Sequence, residues 1–196
     1  MTTILDYGMG NLRSVQKALE FLGHTAVIQP HLEGTTKLII PGVGAFGAAM
    51  ERIGPLREEI RAFAASGKPV LGICLGMQLL LDESEELGTF TGLGLVPGKV
   101  KYFPADMGLK VPHTGWNTIE PTRADGLLDG FATGDQVYFV HSLYTDCANP
   151  ADVAATCQYG MEFACSIEHE NVWGTQFHPE KSGAVGLRML RNFVEC

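Results

Sequence analysis

The sequence predicts an α/β fold, with an open, mostly parallel central sheet flanked by helices and extra antiparallel strands in the second half. In the first half, strand-like and helix-like segments alternate, as in parallel sheets with helical crossovers. In the second half, short strand-like segments follow one another with few helical patterns between them. The 196 residues contain no linker or internal repeat, so we expect a single domain over residues 1–196.

The elements of the first half follow from apolar spacing and turn residues. We expect, in order, strand 3–6, helix 11–22, strands 26–29 and 37–40, helix 54–65, strand 69–73 and a helix from residue 75. Pro55 fits the first position of a helix, where its missing N–H costs nothing. Segment 69–73 is almost wholly apolar, which is typical of a strand buried on both faces.

The second half is expected to contain strands 100–103, 116–119, 136–140, 153–157, 163–167 and 172–176, followed by the amphipathic helix 183–194. The formal net charge of -8 would repel phosphate backbones, so we expect no nucleic-acid partner. The sequence has neither a charged-then-apolar leader nor an apolar run of about 18 residues, so we expect no secretion and no membrane span.

The five cysteines are scattered and form no CxxC pair. Their number and spacing argue against a disulfide framework and against a metal site. We therefore expect free thiols in the reducing cytoplasm and no cofactor. Most of these cysteines are expected to be small buried hydrophobic residues, and Cys74 is the candidate exception.

A candidate nucleophile lies in segment 72–76, which reads GICLG between the apolar strand and a helix. A glycine on each side of a central nucleophile, in this context, predicts a nucleophile elbow. The tight turn would expose the side chain of Cys74 at a helix N-terminus, where the helix dipole favours the thiolate. The alternative is a core cysteine in an ordinary strand-to-helix turn.

A candidate base and its partner lie in segment 176–180, which reads QFHPE. Pro179 favours an extended backbone at His178, so side chains two positions apart project to the same side. Glu180 is therefore expected to hold the His178 ring, which completes a Cys–His–carboxylate arrangement. His141 ends another strand and is the competing base. It has no acidic residue two positions away, so we expect a binding or structural role for it.

Backbone N–H groups near the nucleophile are expected to stabilise an oxyanion. One natural donor is the N–H of Leu75, directly after Cys74. A second is expected from segment 41–44 (PGVG), whose two glycines allow a close approach to a ligand and a peptide flip. This loop follows a strand, and ligands of open α/β sheets bind beyond the carboxyl ends of the strands.

With these features, the chain resembles the class I (triad) glutamine amidotransferases over nearly its whole length. The resemblance is carried by segments 6–12 (DYGMGNL), 41–46 (PGVGAF), 72–78 (GICLGMQ), 115–117 (GWN), 138–142 (YFVHS) and 177–182 (FHPEKS). Segments 6–12, 115–117 and 177–182 are most similar to the glutaminase subunits of imidazole glycerol phosphate synthase. One departure is Thr114, where that group usually has methionine at a non-catalytic position.

The resemblance implies a role for each matched residue. Cys74 would attack the side-chain amide of glutamine, His178 would transfer the proton, and Glu180 would orient His178. The oxyanion donors would be Val43 and Leu75, and the substrate would also contact Gly44, Gln78, Glu86, Ser142 and Leu143. Glu86 would pair with the substrate ammonium, although it belongs to the acidic segment 83–86, a pattern also typical of a solvated face.

The proposed site extends from residue 41 to residue 180, which leaves no room in these residues for a domain that would use the ammonia. We therefore expect a separate partner to use it. The resemblance implies a (β/α)₈-barrel cyclase subunit in a heterodimer. There, ammonia and a phosphoribulosyl carboxamide intermediate would give imidazole glycerol phosphate and an aminoimidazole carboxamide ribotide. The interface positions implied are Asn11, Trp116, Tyr138 and Lys181. We expect the subunit to be nearly idle until the partner docks.

Three other functions fit parts of the pattern. One is the glutaminase component of anthranilate, aminodeoxychorismate or GMP synthesis, which shares the chemistry but not the acceptor. Another is a cysteine peptidase or deglycase on the same kind of sheet. The third is a non-catalytic scaffold subunit, against which the presence of all three triad residues argues.

Overall fold

The chain folds around a large mixed sheet in the computed structural model, which describes residues 1–123 and 125–196. The first half contains β1 (Thr2–Leu5), α1 (Leu12–Phe21), β2 (Ala26–Gln29), β3 (Lys37–Gly42), α2 (Phe46–Ile53), α3 (Arg57–Ala65), β4 (Val70–Cys74), α4 (Leu75–Leu79), β5 (Glu83–Ser84), β6 (Phe90–Thr91) and β7 (Gly98–Tyr102). The second half contains β8 (His113–Pro121), β9 (Gln136–His141), β10 (Leu143–Cys147), β11 (Val153–Tyr159), β12 (Met161–His169), β13 (Val172–Thr175) and α5 (Gly183–Glu195).

The centre of the sheet is parallel and its far side is antiparallel. Strands β2, β1, β3, β4 and β13 lie side by side in that order and run in the same direction. Strand β12 is antiparallel to β13, and the sheet continues through β10, β7, β5 and β6. Strands β11, β8 and β9 form an antiparallel branch from β12. This topology confirms the predicted α/β fold.

Two apolar layers cover the faces of the sheet. On one face α1 and α5 contribute Val15, Leu19 and Phe193 to a cluster that includes Leu71 and Ile73 of β4. On the other face α2 and α3 contribute Phe46, Ile53 and Ile60 to a second cluster that includes Val70. Every residue of β4 is buried, because a central parallel strand is covered on both sides.

Helix α2 is an element that the sequence did not predict, and the expected helix 54–65 is shorter than predicted. Residues 54–56 form a 3₁₀ turn, and the α-helix occupies Arg57–Ala65. The glycines of segment 42–47 obscured the start of α2. Its buried residues Phe46, Ala49 and Ile53 nevertheless recur at helical spacing.

The turn between β9 and β10 was also missed, because residues 137–147 contain no glycine or proline. Only Ser142 separates the two strands. Strand β9 pairs with β8, whereas β10 pairs with β7 and β12. The chain therefore passes from the branch to the main sheet at Ser142, and this change of partners is a tertiary choice without a local turn signal.

The site is positioned by the carboxyl ends of three adjacent parallel strands. Gly42 of β3 lies beside Cys74 of β4. Thr175 of β13 lies beside Ile73 on the opposite side of β4. The loops that carry the candidate oxyanion donor, the nucleophile and the base therefore leave the sheet at one edge, where open α/β sheets bind ligands.

No helix within the described ranges combines the length and the apolar character that a membrane crossing needs.

Candidate active site

Cys74 occupies a strained position at the end of β4. Its backbone angles are φ 56° and ψ −112°, a combination that non-glycine residues rarely adopt. The neighbouring glycines leave room for this turn. A Cβ on Gly76 would lie 1.7 Å from the Ile40 carbonyl oxygen, and one on Gly72 would lie 2.5 Å from the Gly76 carbonyl oxygen. The close approach of these backbones agrees with the predicted nucleophile elbow.

The Cys74 side chain faces a cavity of about 320 Å³, which falls within the size range of small-molecule sites. The cavity is lined by Val43, Gly44, Cys74, Leu75, Gln78, Glu86, Pro112, Val140, His141, Ser142, Leu143 and His178. The fold thus brings together every predicted catalytic, oxyanion and substrate residue except Glu180, which lies behind His178. Val140 and Pro112 were not predicted.

His178 and Glu180 form a buried pair, as the extended backbone at His178 predicted. The His178 angles are φ −95° and ψ 100°. Its Nδ1 lies 2.9 Å from Oε1 of Glu180, and both side chains are almost fully buried. A carboxylate can only accept, so Nδ1 carries the proton. Nε2 is buried and has no hydrogen-bond partner among the described residues, which leaves it available on the side that faces the cavity.

The charges around His178 outweigh its burial. Burial lowers the pKa of His178, but its interactions with Cys74 and Glu180 outweigh that effect and raise the pKa from 6.5 to about 9. A histidine with this pKa is an imidazolium at neutral pH. The site therefore holds a His178 imidazolium next to the candidate nucleophile Cys74.

His141 also faces the cavity but has a different partner. Its Nδ1 lies 2.7 Å from the Leu143 carbonyl oxygen, which can only accept, so Nδ1 carries the proton. Its Nε2 then accepts from Nδ1 of His113 at 2.9 Å, and Nε2 of His113 accepts from the side-chain amide of Asn117 at 3.2 Å. Both rings are therefore neutral, and their tautomers are fixed.

Burial sets the protonation of this second histidine pair. It lowers the pKa of His141 to about 3, and the hydrogen bond to the Leu143 carbonyl does not offset it. Burial also lowers the pKa of His113 to about 4. A ring that stays neutral at pH 7 and uses both nitrogens in hydrogen bonds fixes the position of the groups to which it is bonded, here the Leu143 carbonyl and His113. This agrees with the binding or structural role predicted for His141.

The Leu143 carbonyl joins this histidine pair to a pair of buried glutamines. Nε2 of Gln78 donates to it at 3.4 Å and to Oε1 of Gln176 at 2.9 Å. Nε2 of Gln176 then lies 3.7 Å from Sγ of Cys74, within the range for a hydrogen bond to sulfur. Gln176 was predicted only as the end of a strand. Its position two residues before His178 on an extended chain was the signal that it shares a face with the base.

The loop after β3 lines the same cavity with Val43 and Gly44. Gly44 has φ +104°, and Val43 is 45% exposed. Gly42 permits the close packing below this loop, since a Cβ there would lie 2.6 Å from the Tyr7 hydroxyl and 2.9 Å from Cβ of Leu75. Tyr7 itself is fixed by a 2.8 Å bond to the Pro41 carbonyl. The glycine-rich loop and the first residues of α4 therefore pack directly against each other.

The three glutamates of the acidic segment have different surroundings. Glu83 forms a 2.7 Å ion pair with Lys99, and Glu85 is exposed. Glu86 is half-buried, lines the cavity and accepts a hydrogen bond from the Phe46 N–H at the start of α2. Only Glu86 of the three therefore lies where it can meet a substrate ammonium.

Three of the four residues predicted for the partner interface lie close together, and one of them, Tyr138, accepts a hydrogen bond on its carbonyl oxygen from the His178 backbone N–H at 2.9 Å. Trp116 is 56% exposed, and its ring centroid lies 6.1 Å from that of Tyr138. The Lys181 ammonium lies 5.8 Å from the Tyr138 ring centroid. Asn11 precedes α1 and is half-buried. Trp116, Tyr138 and Lys181 thus form one aromatic and basic patch, called here the Trp116 patch.

The remaining cysteines and histidines do not form a second site of this kind. All five thiols are free. No group of three potential metal ligands occurs in the ranges 1–123 and 125–196. His169 contacts Asp152 at 3.0 Å and His24 contacts Glu195 at 3.5 Å, both away from the cavity. The arrangement around Cys74 combines a candidate nucleophile, an imidazolium and a glycine-rich loop that lines the cavity, which suits acyl transfer from an amide.

Comparisons with known proteins agree with this geometry. The family model described as glutamine amidotransferase class-I matches residues 3–196. Among solved structures, a glutamine amidotransferase has a TM-score of 0.75 at 23% identity, with 99% of this chain and 97% of that chain covered. PurLQS from Thermotoga maritima also has a TM-score of 0.75, at 18% identity and the same coverage. These two likenesses concern the fold alone.

Curated relatives are much closer in sequence. Those with the name imidazole glycerol phosphate synthase subunit HisH include three from different organisms. That of Methanosarcina barkeri is 50% identical over 98% of this chain and 96% of its own. That of Methanothermobacter thermautotrophicus is 48% identical over 100% and 98%, and that of Lacticaseibacillus casei is 49% identical over 100% and 95%. The chain therefore belongs to the class I glutamine amidotransferase family and, within it, to the HisH group.

Proposed function

We propose that this chain is the glutaminase subunit of imidazole glycerol phosphate synthase, which hydrolyses L-glutamine and passes the ammonia to a cyclase subunit in histidine biosynthesis. The observation that carries the proposal is the buried His178–Glu180 pair at 2.9 Å beside a cysteine held at a nucleophile elbow. The HisH relatives support the pathway, because their name assigns them to this synthase. A location in the cytoplasm and a single domain over residues 1–196 are parts of the same proposal.

In the first half of the reaction, Sγ of Cys74 attacks the side-chain carbonyl carbon of glutamine. The N–H groups of Val43 and Leu75 stabilise the negative charge that forms on the carbonyl oxygen. His178, already an imidazolium, donates its Nε2 proton to the departing nitrogen, and ammonia leaves. Glu180 holds the opposite ring nitrogen throughout, so that Nε2 keeps facing the reacting atoms.

In the second half, water attacks the thioester on Cys74. His178 takes a proton from that water, glutamate is released, and the thiolate–imidazolium pair is restored. Gly44, Gln78, Ser142 and Leu143 hold the substrate in the cavity, and Glu86 pairs with its ammonium group. Water attack on the thioester requires no metal or cofactor.

The partner is a (β/α)₈-barrel cyclase in a heterodimer, and we place the contact at the Trp116 patch together with Asn11. The exposed indole of Trp116 and the basic side chain of Lys181 suit an interface, since aromatic residues are enriched in such surfaces. The patch is connected to the base, because the His178 backbone N–H donates to the Tyr138 carbonyl oxygen at 2.9 Å.

A glutamine-analogue electrophile tests the chemistry. Peptide mass spectrometry is expected to find the label on Cys74 and to find none in Cys74→Ala. The matched control is Cys157→Ala, which removes another buried thiol that is not part of the cavity lining, and is expected to keep the label on Cys74. A label on any other cysteine would overturn the mechanism.

Co-purification and rate measurements test the pathway. The cyclase is expected to co-purify with the chain and, with its ligand bound, to raise glutamine turnover strongly. The structural reason is the glycine-rich loop at Gly44, which can hold its N–H groups away from the cavity until the partner docks. Equal rates with and without the cyclase would contradict the idle resting state. A chorismate- or nucleotide-binding partner would contradict the assignment to histidine biosynthesis.

A further inference from the structure

Gln176 is a fully buried amide that makes a polar contact with the sulfur of Cys74. Its side-chain Nε2 lies 3.7 Å from Sγ, and the residue has no exposed surface. Burial of a primary amide beside a nucleophile is costly unless its polar atoms have partners. The roles of Cys74, His178 and Glu180 do not explain why a buried amide contacts the sulfur.

The orientation of the Gln176 amide follows from the Leu143 carbonyl group, to which it is linked through Gln78. The Leu143 carbonyl can only accept, so the side-chain atom of Gln78 that meets it at 3.4 Å must be the NH₂ group. The same NH₂ group lies 2.9 Å from Gln176, so the Gln176 atom it meets must be the oxygen. The NH₂ group of Gln176 is thereby left facing Cys74.

Besides His178, the Cys74 sulfur has two polar contacts that act in opposite directions. The Val140 carbonyl oxygen lies 3.9 Å away and can only accept, so it favours the protonated thiol. The Gln176 N–H can only donate at this point, so it favours the thiolate. A hydrogen bond to the charged form of an ionisable group stabilises that form.

We propose that Gln176 is a further catalytic residue, whose N–H donates to Sγ of Cys74 and stabilises the thiolate both before attack and when the C–S bond breaks as glutamate leaves. The proposal rests on the glutaminase function proposed above and adds to it. No proton is transferred from Gln176, because an amide N–H is far too weak an acid. The proton of the Cys74 thiol goes to Nε2 of His178, and Gln176 only shifts that equilibrium toward the ion pair.

The histidine pair has a positioning role in this arrangement. His141 donates to the same Leu143 carbonyl as Gln78, and His113 holds His141 in the required tautomer. A carbonyl that accepts from two donors is fixed in direction. The NH₂ group of Gln78, and through it the oxygen of Gln176, therefore keeps its orientation.

The test measures the alkylation rate of Cys74 by iodoacetamide against pH, which needs no glutamine and no cyclase. Gln176→Met keeps the approximate shape and removes the donor. We expect its alkylation profile to shift to higher pH, and its rate at neutral pH to fall about tenfold, as expected for a lost hydrogen bond to a charged group. Gln176→Glu keeps the shape more closely and places a carboxylate beside the sulfur, so a larger shift is expected.

Thr145→Val is the matched control. Thr145 is also buried, and its hydroxyl donates to the Ala164 carbonyl at 3.3 Å, away from Cys74. Its removal costs a buried hydrogen bond but is expected to leave the alkylation profile unchanged. Thermal unfolding identifies the variants that fold, and Gln176→Glu serves if Gln176→Met does not.

The outcomes separate this proposal from the function on which it rests. An unchanged alkylation profile in folded Gln176→Met and Gln176→Glu would overturn the role of Gln176, whatever the glutaminase activity. A shifted profile in a chain that does not turn over glutamine even with the cyclase and its ligand present would support the role of Gln176 and overturn the proposed substrate.

Discussion

Two strand ends each place a buried histidine in the same cavity, and their chemistry is opposite. At the end of β13, His178 meets the carboxylate of Glu180 and the sulfur of Cys74, and its pKa rises to about 9 despite burial. At the end of β9, His141 meets a backbone carbonyl and a second neutral histidine, and burial lowers its pKa to about 3. Both rings are buried, so burial does not distinguish them. The group that accepts from Nδ1, a carboxylate for His178 and a backbone carbonyl for His141, decides which histidine can transfer protons.

Replacement of the two histidines gives the largest expected contrast. In His178→Asn, glutamine turnover with the cyclase present is expected to fall on the order of 10⁴-fold, because base and acid are both lost. His169→Asn is the control, since His169 also contacts a carboxylate, that of Asp152, but outside this cavity. It is expected to retain turnover. A His178→Asn enzyme with near-normal kcat would show that His141 can serve as the base.

Neutralisation of the carboxylate is expected to have the next largest effect. Glu180→Gln keeps the shape but removes the charge that favours the imidazolium and fixes the tautomer. We expect kcat to fall roughly 10²-fold to 10⁴-fold. Asp152→Asn, the equivalent change beside His169, is the control and is expected to leave kcat unchanged. If Glu180→Gln had no effect on kcat, the carboxylate would not be what distinguishes the two strand ends.

Replacement of His141 is expected to affect binding more than chemistry. His141→Asn removes one of the two donors that hold the Leu143 carbonyl. A lost hydrogen bond of this kind predicts a rise in KM of about tenfold and a smaller fall in kcat through Gln176, measured by steady-state glutaminase assays with the cyclase. A fall in kcat as deep as that of His178→Asn would contradict the positioning role.

The smallest expected effect is a difference in the pH dependence of stability. His178 binds its proton more tightly when folded, so its contribution is complete below pH 6.5 and is lost as pH rises through about 9. His141 binds its proton less tightly when folded, so its contribution is present above pH 6.5 and is lost as pH falls toward about 3. Urea unfolding across this range measures both slopes.

Each variant is expected to flatten one side of that profile. His178→Asn would remove the loss of unfolding free energy on the alkaline side, and His141→Asn would reduce the loss on the acid side. His113→Asn is expected to resemble His141→Asn, because burial lowers its pKa to about 4. If both variants altered the same side of the profile, the opposite pKa shifts would be wrong.

The parts of the fold that the sequence predicted are those with local signals. The alternation of strands and helices, the buried strand β4 and the closing helix α5 all follow from apolar spacing. Helix α2 was missed because the glycines before it suggest a loop. Strand β10 was missed because the turn at Ser142 depends on the strands with which each neighbour pairs.

The sequence by itself determined the elbow at Cys74 and the pairing of His178 with Glu180, because both depend on residues within a few positions of each other. Only the tertiary structure decided what surrounds the sulfur. Gln176 is 102 positions from Cys74 and Val140 is 66 positions from it. The Leu143 carbonyl is 65 positions from Gln78. Local periodicity holds no information about such distant contacts, because strand order and the turn at Ser142 create them.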